Sequence, residues 1–300
     1  MNMEKQLKAI VKKGTVKEQE PMKLHTTFRV GGNAEFFVEP AFEEVKDLIS
    51  FLKKENISYT LIGNGSNLLV SDEGIEGVVV SFGTQMADVE VQDNKIKAQA
   101  GILLSRLASF AAANSLSGLE FASGIPGTLG GAIAMNAGAY GGEMKDVVEN
   151  VTVLEDGEIK TYSGKEMDFS YRHSRVLDGE AIVLSVELSL TPKNAEEINA
   201  TMKELNSKRV EKQPLNYPSA GSTFKRPEGY FAGKLIEDAG LRGYKVGGAQ
   251  VSEKHCGFVV NTGDATASDI YHLILNVQKK VKEQFGVMLE PEVRLIGKFE

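Results

Sequence analysis

The sequence predicts an α+β fold in two domains. At 300 residues the chain is longer than one typical domain of about 150 residues. Segments with helical spacing and segments with strand alternation are mixed along residues 1–190, and Thr191-Pro192 then breaks the pattern. We therefore expect one domain over residues 1–192, with subdomains at about 1–80 and 81–192, and a smaller domain over 193–300.

The first domain begins with predicted helices and a strand. Residues 1–20 intersperse charge throughout and have no apolar stretch, so they predict an amphipathic helix rather than a signal peptide. Residues 43–56 predict a second helix because their apolar side chains recur at helical spacing, at Val45, Leu48, Ile49 and Leu52. A strand predicted over residues 57–63 then ends in the sequence GNGSN (63–67).

The rest of the first domain predicts mostly strands. VVVSF (78–82) is typical of a buried strand, and residues 89–100 predict two short strands around an Asp-Asn turn. Helical spacing returns over residues 103–115. Residues 151–163 predict a hairpin, and residues 181–190 predict a strand with one apolar face formed by Ile182, Leu184, Val186 and Leu188.

Two long helices and a final strand are predicted for the second domain. Asn194, with Glu197 three residues later, resembles a capping box at the start of a helix that runs to about Lys212. A second helix is predicted from Asp269 to Phe285 and stops at Gly286. Alternation over residues 287–297 then predicts a strand, with Val293 and Leu295 on one face and Glu292 and Arg294 on the other.

Composition excludes several classes of function. A formal net charge of −7 argues against nucleic-acid binding, which usually requires a clustered basic excess. No apolar run approaches the roughly 20 residues of a membrane span, so we expect a cytoplasmic protein without a membrane partner. The single cysteine, Cys256, cannot form an internal disulfide and predicts a small buried side chain. The four histidines lie far apart without ligand spacing, so we predict no structural metal.

Two glycine-rich stretches are the strongest local signal of a ligand. GNGSN (63–67) and GIPGTLGG (124–131) can each point consecutive backbone N–H groups into one concavity, where a pyrophosphate fits without a lysine. Gly130-Gly131 also open a small-residue run that can form a helix, whose N-terminal dipole favours an anion. The alternative is that these glycines only permit tight turns and close packing.

The common nucleotide motifs do not match these stretches. Gly63-x-Gly65 lacks the third glycine of a dinucleotide fingerprint at position 68. Gly233-Lys234 has Glu228 where a P-loop requires glycine. The sequence therefore favours neither a Rossmann dehydrogenase nor a P-loop NTPase.

Long ordered motifs resemble those of the UDP-N-acetylenolpyruvoylglucosamine reductases over about residues 22–297. The motifs are HTTFRVGG (25–32), IGNGSNLLVSD (62–72), GIPGTLGGAIAMNAGAYG (124–141), SYRHSR (170–175), AGSTFKRP (220–227), SEKHCGFVVN (252–261) and LEPEVRLIG (289–297). The resemblance implies an FAD-binding module of the vanillyl-alcohol-oxidase type, formed by two α+β subdomains. It also implies a smaller α+β substrate domain, in which residues 287–300 return toward the flavin site.

The family resemblance also implies a reaction and its cofactors. It predicts reduction of UDP-N-acetylglucosamine enolpyruvate to UDP-N-acetylmuramate in peptidoglycan precursor synthesis, with NADPH as reductant. FAD is expected to be non-covalent, because no His or Cys lies between His25 and His173 to tether it near the glycine stretches. The expected FAD contacts are Gly63, Asn64, Gly65, Ser66, Asn67, Gly124, Ile125, Gly127, Thr128, Gly130, Gly131 and Ala132.

Reduction of an enolpyruvyl ether requires a proton donor and stabilisation of the negative charge that moves toward the carboxylate. By residue type alone, Arg172 is better explained as part of a surface ion pair and Ser222 as a helix cap or turn hydroxyl, and Glu292 is equally explained as a carboxylate on a solvent-facing strand edge. The resemblance assigns Ser222 as proton donor to the α-carbon and Arg172 with Glu292 to the developing enolate. Whether Glu292 acts protonated or through a hydrogen-bonded relay is left open.

The expected substrate-binding residues are Tyr171, Lys212 and Arg242, the last two as cations for the UDP diphosphate. His255 either contacts the nucleotide or caps a turn. One departure from the family is Arg226, where asparagine often precedes the proline. The short connection from Arg172 to residue 181 leaves no room for the tyrosine-bearing loop of one family branch, so the sequence is typical of the branch without it.

Two other functions remain open from the sequence. One is a flavin-dependent oxidase of the same fold, and the other is a flavin or nucleotide-sugar sensor without turnover. A sensor has no need of the proton donor Ser222, which favours an enzyme. We expect a monomer whose only partners are the nucleotide sugar and NADPH.

Overall fold

The structure, a computed structural model, describes residues 2–300. Its contacts divide the chain into two compact units that are each assembled from separate segments. The first unit comprises residues 2–17, 37–64 and 79–209, and the second comprises 18–36, 65–78 and 210–300. The sequence predicts two continuous domains with a boundary near residue 192. That division concerns how functions are distributed along the chain, and it remains a prediction.

Helices and strands are interspersed along the described residues. The helices are α1 Met3–Ile10, α2 Val45–Lys54, α3 Leu104–Ala113, α4 Leu129–Ala134, α5 Ala195–Lys212, α6 Ala232–Asp238 and α7 Ala267–Phe285. The strands are β1 Thr15–Pro21, β2 Asn33–Glu39, β3 Tyr59–Ile62, β4 Leu68–Val70, β5 Ile75–Ser81, β6 Val89–Gln92, β7 Lys95–Gln99, β8 Leu116–Ser117, β9 Gly138–Ala139, β10 Gly142–Glu143, β11 Val148–Glu155, β12 Glu158–Ser163, β13 Ile182–Ser189, β14 Thr191–Pro192, β15 Lys245–Val246, β16 Ala249–Val251, β17 Val259–Asn261 and β18 Arg294–Ile296.

A five-stranded antiparallel sheet, in the order β12-β11-β13-β7-β6, belongs to the first unit. Its central strand β13 buries Val183 and Ser185 as well as the predicted apolar face. The expectation of one apolar face is therefore wrong. A central strand that is covered on both sides buries the side chains of both its faces. Helix α4 contacts this strand and so fixes the end of the second glycine stretch against the sheet.

The N-terminus departs from the prediction of one amphipathic helix over residues 1–20. Helix α1 ends at Ile10, and residues 15–21 form strand β1. The carboxylate of Glu44 accepts the backbone N–H groups of Lys12, Lys13 and Gly14, which directs this segment away from helical bonding. Sequence periodicity cannot reveal this interaction, since Glu44 lies 30 or more residues away.

The second unit has its own core around helix α7. The apolar face of α7 packs with α6, with β16 and β17, and with Phe28, Val30 and Leu69. Thr266 accepts the N–H of Asp269 at the start of α7, and Gly286 ends the helix at a left-handed φ of 69°. Cys256 is 5% exposed within this core, as predicted, and burial raises the pKa of its thiol.

The predicted strand over residues 287–297 is shorter in the structure. Only Arg294–Ile296 form a strand, β18, which pairs in parallel with β4. Val293 is 3% exposed and Leu295 is 40% exposed, so only the first of these two apolar residues is buried. The strand is short because residues 290–292 pair instead with residues 223–225, through the Phe224–Pro291 bridge, before β18 begins.

Candidate functional site

Within the first unit, Gly63 and Asn64, which begin the first glycine stretch, lie against the second glycine stretch. Asn64 Nδ2 donates to the carbonyl of Pro126 at 2.8 Å. A Cβ at Gly63 would lie 2.1 Å from Thr128 Oγ1, so only glycine fits at this contact. The structure therefore brings together two stretches that are about sixty residues apart in sequence.

Close packing explains several of these glycines. A Cβ at Gly124 would lie 2.5 Å from Asn206 Oδ1, and one at Gly130 would lie 3.0 Å from Ala100 Cβ. Gly131 differs, because the nearest atom to its added Cβ is Thr128 Oγ1 at 3.7 Å, an ordinary contact distance. Close packing alone therefore explains why Gly63, Gly124 and Gly130 are glycines. Beside Gly131, by contrast, there is space that a ligand can occupy.

The second stretch also presents unused backbone donors. Leu129 and Gly130 donate their N–H groups to the carbonyls of Ile102 and Ala100 at 2.9 and 2.8 Å. By contrast, the N–H groups of Gly127, Thr128 and Gly131 have no acceptor within residues 2–300. Clustered N–H groups of this kind suit the phosphate oxygens of a dinucleotide.

A cation that the sequence reasoning missed lies beside this stretch. Arg209, on α5, is half-buried, and its Cδ and Nη1 atoms are 3.1 and 3.7 Å from the position of a Cβ on Gly124. Burial lowers the pKa of its guanidinium, and no carboxylate within residues 2–300 forms an ion pair with it. In sequence, Arg209 is one of many charges on a polar helix, and only the fold distinguishes it.

Tyr171 and Arg172 lie in a tight turn of the first unit. Ser170 and His173 flank the turn and exchange two backbone hydrogen bonds of 3.0 and 3.3 Å. Arg172 adopts a left-handed φ of 56°, and its guanidinium carbon is 5.1 Å from the centroid of the Tyr171 ring. Tyr171 is 55% exposed and Arg172 is half-buried.

Within the second unit, Ser222 and Glu292 are neighbours through Thr223. The Glu292 N–H donates to the carbonyl of Thr223 at 2.8 Å, and Lys225 N–H donates to the carbonyl of Glu290 at 2.8 Å. Thr223 is fully buried, and its Oγ1 accepts the N–H of Val259. Ser222 itself is exposed beside this fixed residue.

Asn67, from the first glycine stretch, holds the other side of the Glu292 segment. Asn67 Nδ2 donates to the carbonyl of Glu292 at 3.0 Å, and its own carbonyl accepts the N–H of Arg294 at 2.9 Å. The second unit thus gathers a predicted flavin contact, a predicted proton donor and a predicted carboxylate. These three residues are 70 to 225 positions apart in sequence.

The predicted diphosphate cations differ in their surroundings. Lys212 is exposed at the end of α5. Arg242 forms a 2.6 Å ion pair with Glu237, which raises the pKa of its guanidinium, and it also donates to the carbonyl of Glu253. His255 Nδ1 accepts the N–H of Gly257 at 3.1 Å, which is the turn-capping contact considered from sequence, and burial lowers the pKa of this histidine.

Comparison with known proteins identifies the family. A family model described as the UDP-N-acetylenolpyruvoylglucosamine reductase C-terminal domain matches residues 213–296, and one described as an FAD binding domain matches residues 35–163. A UDP-N-acetylenolpyruvoylglucosamine reductase of Agathobacter rectalis is 59% identical, covering 94% of each chain. The one from Caldanaerobacter subterraneus subsp. tengcongensis is 56% identical, covering 97% of each. The chain belongs to the UDP-N-acetylenolpyruvoylglucosamine reductase family.

A solved structure from this reductase family supports the same assignment. The crystal structure of UDP-N-acetylenolpyruvylglucosamine reductase from Thermus caldophilus matches with a TM-score of 0.80 and 37% identity, over 95% of this chain and 99% of that one. The predicted α+β fold with an FAD-binding module is confirmed. The predicted enzyme class and cofactor are likewise confirmed, since the protein is an oxidoreductase whose cofactor is FAD.

The individual site residues remain predictions at this point.

No helix within residues 2–300 is long and apolar enough to span a bilayer. The same residues contain no group of three or more His, Cys, Asp or Glu side chains arranged to hold a metal ion.

Proposed function

We propose that the protein reduces UDP-N-acetylglucosamine enolpyruvate to UDP-N-acetylmuramate with electrons from NADPH, in the cytoplasmic synthesis of peptidoglycan precursors. The observation that carries this proposal is that, in one unit, the backbone of Glu292 bonds both to the side chain of Asn67 and to the carbonyl of Thr223, the residue next to Ser222. A proton donor and a carboxylate beside a residue of a flavin loop are what an enolpyruvyl reductase requires.

FAD fits the first unit. The N–H groups of Gly127, Thr128 and Gly131 would hold its diphosphate, and the half-buried Arg209 would supply the opposite charge. When bound there, FAD would supply the hydride chemistry of the reaction, by which the β-carbon of the enolpyruvyl group receives a hydride that originates from NADPH.

The chain's own residues then manage charge and protons. Ser222 would donate its hydroxyl proton to the α-carbon, since it is exposed and held by the buried Thr223 beside it. Arg172 would pair with the substrate carboxylate, because a guanidinium matches a carboxylate bidentately and does not deprotonate. Glu292 would act on the same developing negative charge. Tyr171, Lys212 and Arg242 would bind the nucleotide sugar.

A two-step anaerobic titration tests this function. The purified protein is first reduced with NADPH and then mixed with UDP-N-acetylglucosamine enolpyruvate while flavin absorbance is followed near about 450 nm. We expect bleaching by NADPH and recovery of the yellow form on addition of the enolpyruvyl nucleotide. Recovery that occurs only with oxygen would instead favour the oxidase of the same fold.

Arg209 is expected to contribute to FAD affinity. Replacing Arg209 with glutamine should weaken FAD binding about tenfold to a hundredfold, because a charge-assisted hydrogen bond to a phosphate contributes roughly 1.5–3 kcal/mol. The dissociation constant is measured from the change in flavin fluorescence on titrating the apoprotein with FAD. The matched control is Lys208→Gln, which removes the adjacent cation that pairs with Glu204 at 2.5 Å. Equal FAD affinity in both variants and the parent protein would contradict a role for Arg209.

A further inference from the structure

Asn136 is a buried amide at the end of α4, in the motif that follows the second glycine stretch. Its side chain is 1% exposed, and its backbone adopts a left-handed φ of 41°. Asparagine tolerates this conformation better than most residues, but it still has to be held by its surroundings. The reason for a polar residue here must lie in what its amide contacts.

Three hydrogen bonds engage the amide of Asn136. Nδ2 donates to Glu143 Oε2 at 2.8 Å and to the carbonyl of Ser170 at 3.0 Å. Oδ1 accepts the N–H of Lys145 at 3.0 Å. Both N–H groups of the amide are therefore used, and one of them reaches a segment 34 residues later in the chain.

The Ser170 carbonyl is the first anchor of the turn that carries Arg172. It also accepts the N–H of His173 at 3.3 Å, and the His173 carbonyl accepts the N–H of Ser170. Asn136 therefore holds the turn at the residue where it opens. A second link from the same helix end is the hydroxyl of the fully buried Ser174, which donates to the carbonyl of Ala134 at 3.1 Å.

The conformation of Arg172 makes such an anchor necessary. Its left-handed φ of 56° is unfavourable for a residue with a long side chain, so the turn persists only where its surroundings fix it. The charge of Arg172 also acts on Glu143, the other partner of the Asn136 amide. The hydrogen bond from Lys145 chiefly lowers the pKa of Glu143, and Asn136 and the Arg172 charge add to that effect.

We infer that Asn136 is a positioning residue. It holds the turn that carries Arg172 in the conformation in which Arg172 binds the enolpyruvyl carboxylate. This inference rests on the proposed function, because it takes Arg172 to bind that carboxylate. Reduction of the flavin by NADPH makes no use of the substrate carboxylate. Loss of the Asn136 amide should therefore slow one half of the reaction and spare the other.

The test separates the two half-reactions by rapid mixing of FAD-loaded Asn136→Ala. We expect reoxidation of the reduced flavin by UDP-N-acetylglucosamine enolpyruvate to slow by about 10- to 100-fold, as displacement of a positioned group by about 1 Å can cause. Flavin reduction by NADPH and the FAD dissociation constant should stay within about twofold of the parent values. Asn114→Ala is the matched control, since it removes the amide of an asparagine at the end of another helix, α3, whose Nδ2 donates to the carbonyl of Phe110 and not to the turn. It should have little effect on either half-reaction.

Coupling to Arg172 distinguishes positioning from general support of the fold. In an Arg172→Met background, Asn136→Ala should add almost no further slowing of reoxidation, because the group that it positions is gone. Independent effects of the two changes, or equal slowing of both half-reactions, would overturn the inference. Should Asn136→Ala fail to fold because alanine is strained at this left-handed φ, Asn136→Gly removes the same amide without that strain, and the same split is expected. If the parent enzyme is not reoxidised by the substrate, the proposed function fails instead.

Discussion

Replacement of Ser222 with alanine is expected to slow reoxidation of the reduced flavin by the enolpyruvyl nucleotide by about 10²- to 10⁴-fold, the usual contribution of a positioned proton donor. Flavin reduction by NADPH should be unchanged, because that step transfers no proton to the α-carbon. The measurement is a rapid-mixing experiment in which each half-reaction is followed separately through flavin absorbance.

Ser222→Ala should leave the structure intact. Ser222 is exposed, and its segment is fixed by Thr223, whose backbone and hydroxyl are bonded to Gly257, Val259 and Glu292. Ser219→Ala, three residues earlier in the same segment, is the control and should react like the parent enzyme. Reoxidation at the parent rate in Ser222→Ala would mean that the α-carbon receives its proton from another group.

Local periodicity predicted the elements whose burial follows from sequence spacing. Helix α2 buries Val45, Leu48, Ile49 and Leu52 as predicted, and α7 extends to Phe285 with Gly286 as its cap. These predictions succeeded because an amphipathic helix needs only one apolar face to be covered, whatever covers it. Strand β13 shows the limit, since the burial of Val183 and Ser185 depends on its central place in the sheet.

The residues of the candidate site could be predicted from the sequence, but their arrangement in space could not. The resemblance assigned roles to Ser222 and Glu292, but the bond from the Glu292 N–H to the Thr223 carbonyl depends on pairing between distant segments. Arg209 and Asn136 carry no sequence signal of their own. Their significance comes from the glycine stretch and the Arg172 turn that the fold places against them.

Glu44 is expected to be the carboxylate on which the stability of the first unit depends most. Its side chain is 8% exposed and accepts four backbone N–H groups, from Lys12, Lys13, Gly14 and Ala41, at 2.6 to 3.1 Å. Burial by itself raises the pKa of this carboxyl, but the four donors outweigh it and hold the pKa below the usual glutamate range. Glu44→Gln replaces one acceptor oxygen by an NH₂ group and leaves buried donors unpaired, which should lower the free energy of unfolding by about 3–4 kcal/mol.

Urea unfolding of the FAD-loaded protein near neutral pH measures this loss, with Glu43→Gln as the control. Glu43 is the preceding residue and is exposed, with an ion pair to Lys13, so its replacement should leave the free energy of unfolding nearly unchanged. The difference between the parent protein and Glu44→Gln should also depend on pH. Because the folded pKa of Glu44 lies below its unfolded value of about 4.3, the stabilisation is complete above that pH and is lost as the pH falls through the folded pKa. A difference that stays constant down to about pH 3, or equal losses in the two variants, would show that the charge of Glu44 does not hold the N-terminal segment in place.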